Sequence, residues 1–255
     1  MVTKTDQEKR FLDLATQAIS LVNRGKRTDD EIDWMNNRLQ EFKARHISIR
    51  DSFLCFGPDD WTRCYGIRVV NPPDFPWSED VLNSPCPFHK GKTILETHVA
   101  FLGIEKLNGE PLSILKFHQL HPATGQPRFY FADNPWYAKE AFATQPLSFR
   151  WHLLLREVVP NSGSKTFEDQ QRRLPAEYEV PTAVAEVSKN ILVFRKSGIY
   201  SNSNRYARCQ DKTAAGYRVY VGYFDSYGLY VGSSWGDYRS DLIGVGAARK
   251  LPLDF

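Results

Sequence analysis

Between Tyr217 and Ile243 the chain reads YRVYVGYFDSYGLYVGSSWGDYRSDLI, a stretch without a single Lys, Glu, Gln or Met. Tyr, Ser, Gly, Asp and Arg stand in their place. The chemistry such a set can do is recognition. Tyrosine supplies rigid, amphipathic contact area at low entropic cost, while serine and glycine adapt their hydrogen bonding. The candidate contact residues are Tyr206, Arg208, Tyr217, Tyr220, Tyr223, Asp225, Ser226, Tyr227, Tyr230, Ser233, Ser234, Tyr238, Ser240 and Asp241. They would anchor a ligand by aromatic contact and adaptable polar bonds. Interleaved with them, Val219, Val221, Phe224, Leu229, Val231, Trp235, Ile243 and Val245 are expected to face inward as scaffold. Alternation in VYVGYF and GLYVGS places apolar residues on one face of a strand and tyrosines on the other. The plain alternative is a tyrosine-rich sheet of an ordinary all-β domain.

Other residues invite chemistry less strongly. Cys86-Pro-Phe-His89 with His98 forms one weak pair, whereas a structural zinc site needs four ligands, usually as two close pairs. A packed loop is the better reading. His118 and His121 are a lone pair at i, i+3, more in keeping with a polar surface feature than with metal ligands. Glu96 and His98, two apart on a strand, would share a face as acid and base, yet nothing nearby supplies a nucleophile or an oxyanion site. Gly222, Gly228, Gly232 and Gly236 match no phosphate-cradling fingerprint, and no nucleophile elbow is present. No cofactor or metal is implied. Two further function classes stay open. One is an enzyme built on Cys86, His89, Glu96 and His98. The other is a nucleic-acid binder stacking bases on the tyrosines beside Arg205, Arg208, Arg218 and Arg239.

The elements that must position these residues follow from periodicity and punctuation. Phe11, Leu14, Ala15, Ala18, Ile19 and Val22 lie at helical spacing and end at Gly25; Thr28-Asp29-Asp30 opens a second helix through Phe42. Residues 1–46 are thus expected to be a helical hairpin, packed on the main domain or serving homo-oligomerisation. From Ile47 the pattern breaks into short runs cut by GPDD, NPPDFPW and SPCP. Strands are expected at Tyr65–Val70, His98–Glu105, Leu112–Phe117 and Trp151–Val158, and a short helix from Asn134 to Ala143 with proline in its first turn. Thr182–Lys196 reads as a helix with Val184, Val187, Ile191 and Phe194 in one stripe and Gly198 as its stop. Beyond Arg205 the chain reads as strands and turns, closing in a small-residue strand, Ile243–Arg249.

Bulk properties narrow the classes. The 255 residues suffice for one large domain with a small appendage. A net charge of +3 lacks the concentrated basic face of a nucleic-acid binder. There is no long apolar run of membrane-spanning length, no apolar leader at the N-terminus, and four scattered cysteines make no disulfide framework. A cytoplasmic protein is expected.

Taken as an ordered set, several blocks resemble the variable proteins of diversity-generating retroelements. LPAEYEVPTAVAEV is similar to a scaffold stretch of one branch, and RYARCQD, RVYVGYFDSYGLYV and GVGAARK to its variable region and closing strand. Upstream, SPCPFHKGKTILETH, PATGQP, NPWYAKEAFATQPL and FRWHLLLREVVPNSGSKTFEDQ are similar to its constant part. The resemblance covers most of the chain beyond Asp80 and excludes the helical N-terminus. It implies an α+β, C-type-lectin-like mixed fold over residues 47–255, with short strands and two or more helices, of the subclass shared with formylglycine-generating enzymes. It implies a ligand-binding region over 206–243, rewritten by adenine-directed mutagenesis, and a non-enzymatic role in recognising a protein target. Adenine mutation of AAC or AAT codons yields Asn, Tyr, Asp, Ser, Gly and Arg among others, and never Lys, Glu, Gln, Met or Trp. The compositional deficit has that signature, with Trp235 as the exception that must be scaffold. Two departures matter. The Glu-Pro-Asn type of calcium motif of sugar-binding lectins is absent, and Cys209 stands alone where a formylglycine-generating enzyme has paired cysteines.

Overall fold

The eight residues expected to drive the C-terminal strands inward are aliphatic or aromatic, and all but Trp235 are buried, with Val219, Val221, Phe224, Leu229 and Val231 in a core cluster that joins two sheets. A computed structural model describes residues 53–131 and 133–252, which fall in one unit running from Phe53. The helical hairpin expected over residues 1–46 lies outside the described residues. The architecture is α+β. Eleven strands are described: β1 Leu54–Phe56, β2 His98–Leu102, β3 Lys106–Leu107, β4 Glu110–Pro111, β5 Trp151–Leu155, β6 Tyr178–Glu179, β7 Tyr206–Lys212, β8 Arg218–Asp225, β9 Gly228–Ser234, β10 Ile243–Val245 and β11 Ala248–Arg249. They form a five-stranded sheet in the order β1-β2-β5-β11-β6, a four-stranded sheet β10-β7-β8-β9, and the small pair β3-β4. Among the described residues no helix is long and apolar enough to cross a membrane.

The helix Ala183–Ser197 packs against strands of both larger sheets. Its start is fixed by Thr182, whose hydroxyl accepts the Ala185 N–H, and by Asp211, whose carboxylate accepts the Ala183 N–H at 2.6 Å. Gly198, at φ 72°, ends it in the left-handed conformation that suits glycine. The expected single stripe is too narrow: every residue from Ala183 to Val193 is buried, because a helix between two sheets has no solvent face. Two charges are therefore inside. Glu186 and Lys189 form a buried ion pair, and the Lys189 ammonium also donates to Leu155 O at 3.2 Å.

Several local expectations are corrected. Tyr65–Val70 is not a strand; the chain there leaves a helix, Pro58–Tyr65, through left-handed Gly66. That helix forms because Asp60 Oδ2 accepts the Gly57 N–H at 2.9 Å and Trp61 is fully buried. Leu112–Phe117 is largely helical, since Ser113 caps the helix Ile114–Leu120 by accepting the Lys116 N–H. The helix expected from Asn134 covers only Ala141–Thr144, with turns before it. The strands at His98 and Trp151 are present but stop at Leu102 and Leu155. The closing segment is two strands rather than one: β10 runs parallel to β7, and after Gly246 and Ala247 the chain crosses sheets as β11 to pair with β5 and β6.

Candidate ligand-binding surface

Strand β8 carries the centre of the candidate surface, and its parity is repaired by a bulge. Val219 and Val221 are buried and Tyr220 faces the other way. Strict alternation would then turn Tyr223 inward and Phe224 outward. Instead the register with β9 shifts between Gly222 and Asp225, and Tyr223 adopts φ 48°. The extra residue returns Phe224 to the core and leaves Tyr223 on the tyrosine side. A left-handed tyrosine costs about 1–3 kcal/mol and persists only where neighbours over-determine it. Here its N–H donates to Arg205 O at 2.8 Å and the Phe224 N–H to Asn202 O at 3.2 Å. Asn202 is in turn fixed from the core: its N–H donates to Glu157 Oε2 at 2.9 Å and its amide to Glu186 Oε1 at 2.8 Å.

The result is a packed aromatic group. Across the ladder Tyr206 faces Gly222 and Gly222 faces Tyr230. Tyr206 meets Tyr220 at 5.0 Å, stacks on Tyr223 at 5.2 Å, and lies 5.5 Å from Tyr230. Tyr220 and Tyr230 are nearly parallel at 6.3 Å. Gly232 makes room for them, since a Cβ there would fall 2.4 Å from the Tyr220 ring and 2.6 Å from Tyr230. Partial burial, reinforced by the neighbouring phenols, pushes the Tyr206 and Tyr220 hydroxyls up to about 12. At neutral pH they are uncharged groups that both donate and accept.

Two aromatic residues that the sequence reading missed complete the group. Tyr130 lies 5.4 Å and Phe131 5.1 Å from Tyr230. Their segment docks along β9, with Tyr130 N–H donating to Leu229 O and Leu229 N–H to Arg128 O. The run FYFADNPW was the only local signal, and its partner strand is about a hundred residues away, so contact between them is not a sequence-local property. Asp225, Ser226 and Tyr227 form the adjoining hairpin turn, where Asp225 Oδ1 accepts the Tyr227 N–H at 2.7 Å and Tyr227 is 71% exposed. Tyr238, Ser240 and Asp241 lie on the loop between β9 and β10, with Tyr238 and Asp241 exposed.

Four positions depart from expectation. Arg208 has the right parity, opposite Tyr220, but it is completely buried. The loop after β9 folds over it, and its guanidinium donates to Gln170 Oε1 at 3.1 Å, Ser234 Oγ at 3.3 Å and Tyr238 O at 2.9 Å. Among the described residues no carboxylate hydrogen-bonds it, and burial draws its pKa below the usual guanidinium value. Ser233 pairs with Val219 and so belongs to the core-facing side. Tyr217 joins none of the tyrosines and meets Trp235 edge-on at 5.7 Å. Trp235, expected inside, is 62% exposed, because it stands just past the end of β9, beyond the core that its parity would have reached. Ser234 faces Arg218 across the ladder and stays half-buried.

The residues of the alternative readings are otherwise engaged. His98 is buried, its ring bonded to Thr97 Oγ1 at 2.9 Å and the Tyr178 hydroxyl at 3.1 Å, and burial lowers its pKa to about 3. Glu96 shares no strand face with it: Glu96 sits in the helical turn Ile94–Thr97 and accepts the Thr93 N–H at its start. His118 bonds Phe131 O and His121 bonds the Tyr65 hydroxyl. Among the described residues no three His, Cys, Asp or Glu converge as metal ligands. Of the arginines, Arg218 lies 3.9 Å over the Phe167 ring and donates to Gln210 O, and Arg205 donates to Asp241 O. A cleft of about 350 Å³ opens beside Arg205 and Asp241, lined otherwise by the 158–164 loop and Gly244. Its most buried hydroxyl, Ser162, donates to Val159 O and accepts the Val245 N–H.

Comparison with protein families, curated proteins and solved structures gives no match.

Proposed function

We propose that this chain is a target-recognition protein, its tyrosine-lined surface diversified by a retroelement on a C-type-lectin-like scaffold. The observation that carries the reading is the coincidence of two features. Tyr206, Tyr220, Tyr223 and Tyr230 form one continuous group on a sheet whose other face is core, and they fall in or beside the stretch devoid of Lys, Glu, Gln and Met. A separate four-stranded sheet bearing that region, within an α+β architecture, supports the scaffold assignment. The target is a protein, because a broad set of partly exposed tyrosines and small polar residues suits a macromolecular epitope better than a concave small-molecule site. Trp235 lies outside the reach of adenine mutation and is a fixed though exposed residue; with Tyr130 it gives the surface a constant aromatic rim. Four scattered cysteines, too few for a disulfide framework, suit a reducing, cytoplasmic setting.

The test is binding to an array carrying proteins, glycans and nucleic acids in parallel. The wild-type chain should be retained on protein features, and a Tyr223→Ser, Tyr227→Ser, Tyr230→Ser, Tyr238→Ser variant should lose that retention while still folding. Retention on glycan or nucleic-acid features that survives the four substitutions would overturn the reading.

A further inference from the structure

Most of the bonds that reach the displayed segments from the rest of the chain share one property: their acceptors are main-chain carbonyls, with the Arg208 bond to Ser234 Oγ as the exception, while Asp225 Oδ1 and Ser240 Oγ add bonds within the loops. Ser226 O, in the β8–β9 turn, accepts from Gln126 Nε2 at 2.8 Å and Arg128 Nη2 at 2.7 Å. Val231 O accepts from the Trp136 indole N–H at 2.8 Å. Tyr238 O accepts from Arg208 Nη2 at 2.9 Å, and Asp241 O accepts from Arg205 Nη1. Backbone donors do the same, with Phe167 N–H on Gly236 O at 2.7 Å and Ser164 N–H on Ser240 O at 2.8 Å. We infer that Gln126, Arg128, Trp136, Arg205 and Arg208 are positioning residues that clamp the displayed loops through their carbonyls, so that loop shape depends little on the tyrosine and aspartate side chains displayed at Tyr227, Tyr238 and Asp241.

The physical basis is that every residue type carries the same carbonyl. A loop held by side-chain-to-side-chain bonds would change shape whenever a side chain changed; a loop held by its carbonyls keeps it. Arg208 is the key member. A cation sealed from water is costly unless its hydrogen bonds are satisfied, and here Gln170 and the loop's own carbonyl and hydroxyl do much of that work. Gln170 locks the arrangement from the other side, its amide donating to Ser162 O and Ile243 O, both at 2.8 Å. The loop and the arginine therefore depend on each other, and the arginine is withheld from any ligand. The inference deepens the recognition reading by separating residues that set the surface's shape from residues that touch a target.

Amide hydrogen exchange tests this without a target, so its outcome is separable from that of the binding array. The Tyr238 amide donates to Trp235 O and reports closure of the loop. Arg208→Met should speed exchange at that amide about tenfold or more, the population change expected from losing a charged hydrogen bond, while the Val221 and Val231 amides in the sheet keep their rates. Arg208→Lys, which keeps a donor but not the fork, should restore part of the protection. Tyr227→Asn with Asp241→Asn should leave the Tyr238 amide unchanged. Should Arg208→Met unfold the protein, Gln126→Leu with Arg128→Met provides the same reading at the exposed turn, through faster exchange of the Tyr227 amide alone. Unchanged exchange on removing a clamp, or equal loosening by the displayed substitutions, would overturn the inference.

Discussion

Phe224 and Tyr227 lie three residues apart on one hairpin, and the fold assigns them opposite energetic roles. Phe224 is fully buried, edge-on to Tyr200 at 4.9 Å and 5.6 Å from Phe194. Truncating a buried phenylalanine to alanine costs about 3–5 kcal/mol through lost transfer energy and the cavity left behind. Two ring contacts, each contributing about 0.5–1.5 kcal/mol beyond area, place Phe224→Ala toward the upper end of that range. Tyr227 is 71% exposed, so Tyr227→Ser should stay within about 0.5 kcal/mol. For a domain of this size about 1 kcal/mol shifts the melting temperature by roughly 2–4 °C, so Phe224→Ala should melt on the order of 10 °C lower or more. Urea unfolding followed by tryptophan fluorescence, with calorimetry as a second probe, measures both variants. Equal losses, or a larger loss for Tyr227→Ser, would refute the assignment of the two faces.

Trp235→Ala should cost about 1 kcal/mol or less, since the ring is mostly exposed and meets Tyr217 edge-on; a loss of several kcal/mol in urea would return Trp235 to the core. Glu186→Ala strands the Lys189 ammonium in the interior beside Leu155 O and should cost about 3–5 kcal/mol in the same assay; a neutral effect would contradict the buried pair. His98 is held neutral, its pKa lowered by burial from 6.5 to about 3, and His121 and His152 are lowered to about 4. The unfolded chain therefore binds protons first, so their contribution is complete above pH 6.5 and is lost as pH falls toward 4, by up to about 1.4 kcal/mol per pH unit for each histidine. His98→Asn should flatten the fall in melting temperature between pH 6.5 and 4 relative to wild type, and an unchanged slope would contradict its burial as the neutral form.

Much of this surface was legible in the sequence because its signals are local. Thr182, Glu186 and Gly198 mark the central helix by capping and dipole chemistry that acts within a turn. The alternation of Val219, Val221, Leu229 and Val231 with tyrosines fixes which side of each strand meets the core. What alternation cannot convey is what lies on top of a face. Arg208 has the parity of a displayed residue and is covered by a loop that begins some twenty-five residues later. Trp235 has the chemistry of a core residue and stands where the strand has run out of core. Tyr130 reaches the tyrosines only through pairing with Leu229. The segment Ile114–Leu120 is helical and not extended for a related reason: a short apolar run is ambiguous in period, and the Ser113 cap decides it.

The most direct test is to sequence this locus in sibling isolates. The account predicts substitutions concentrated between Tyr206 and Asp241, at Tyr220, Tyr223, Tyr227, Tyr230 and Tyr238 above all, drawn from residues that adenine mutation of AAC or AAT codons can reach. Arg208, Val219, Gly228, Leu229, Trp235 and the Ile243–Arg249 segment should be constant, as should Gln126, Arg128 and Trp136. Differences spread evenly along residues 53–252, or variation at Arg208 with constancy at Tyr223 and Tyr227, would contradict it.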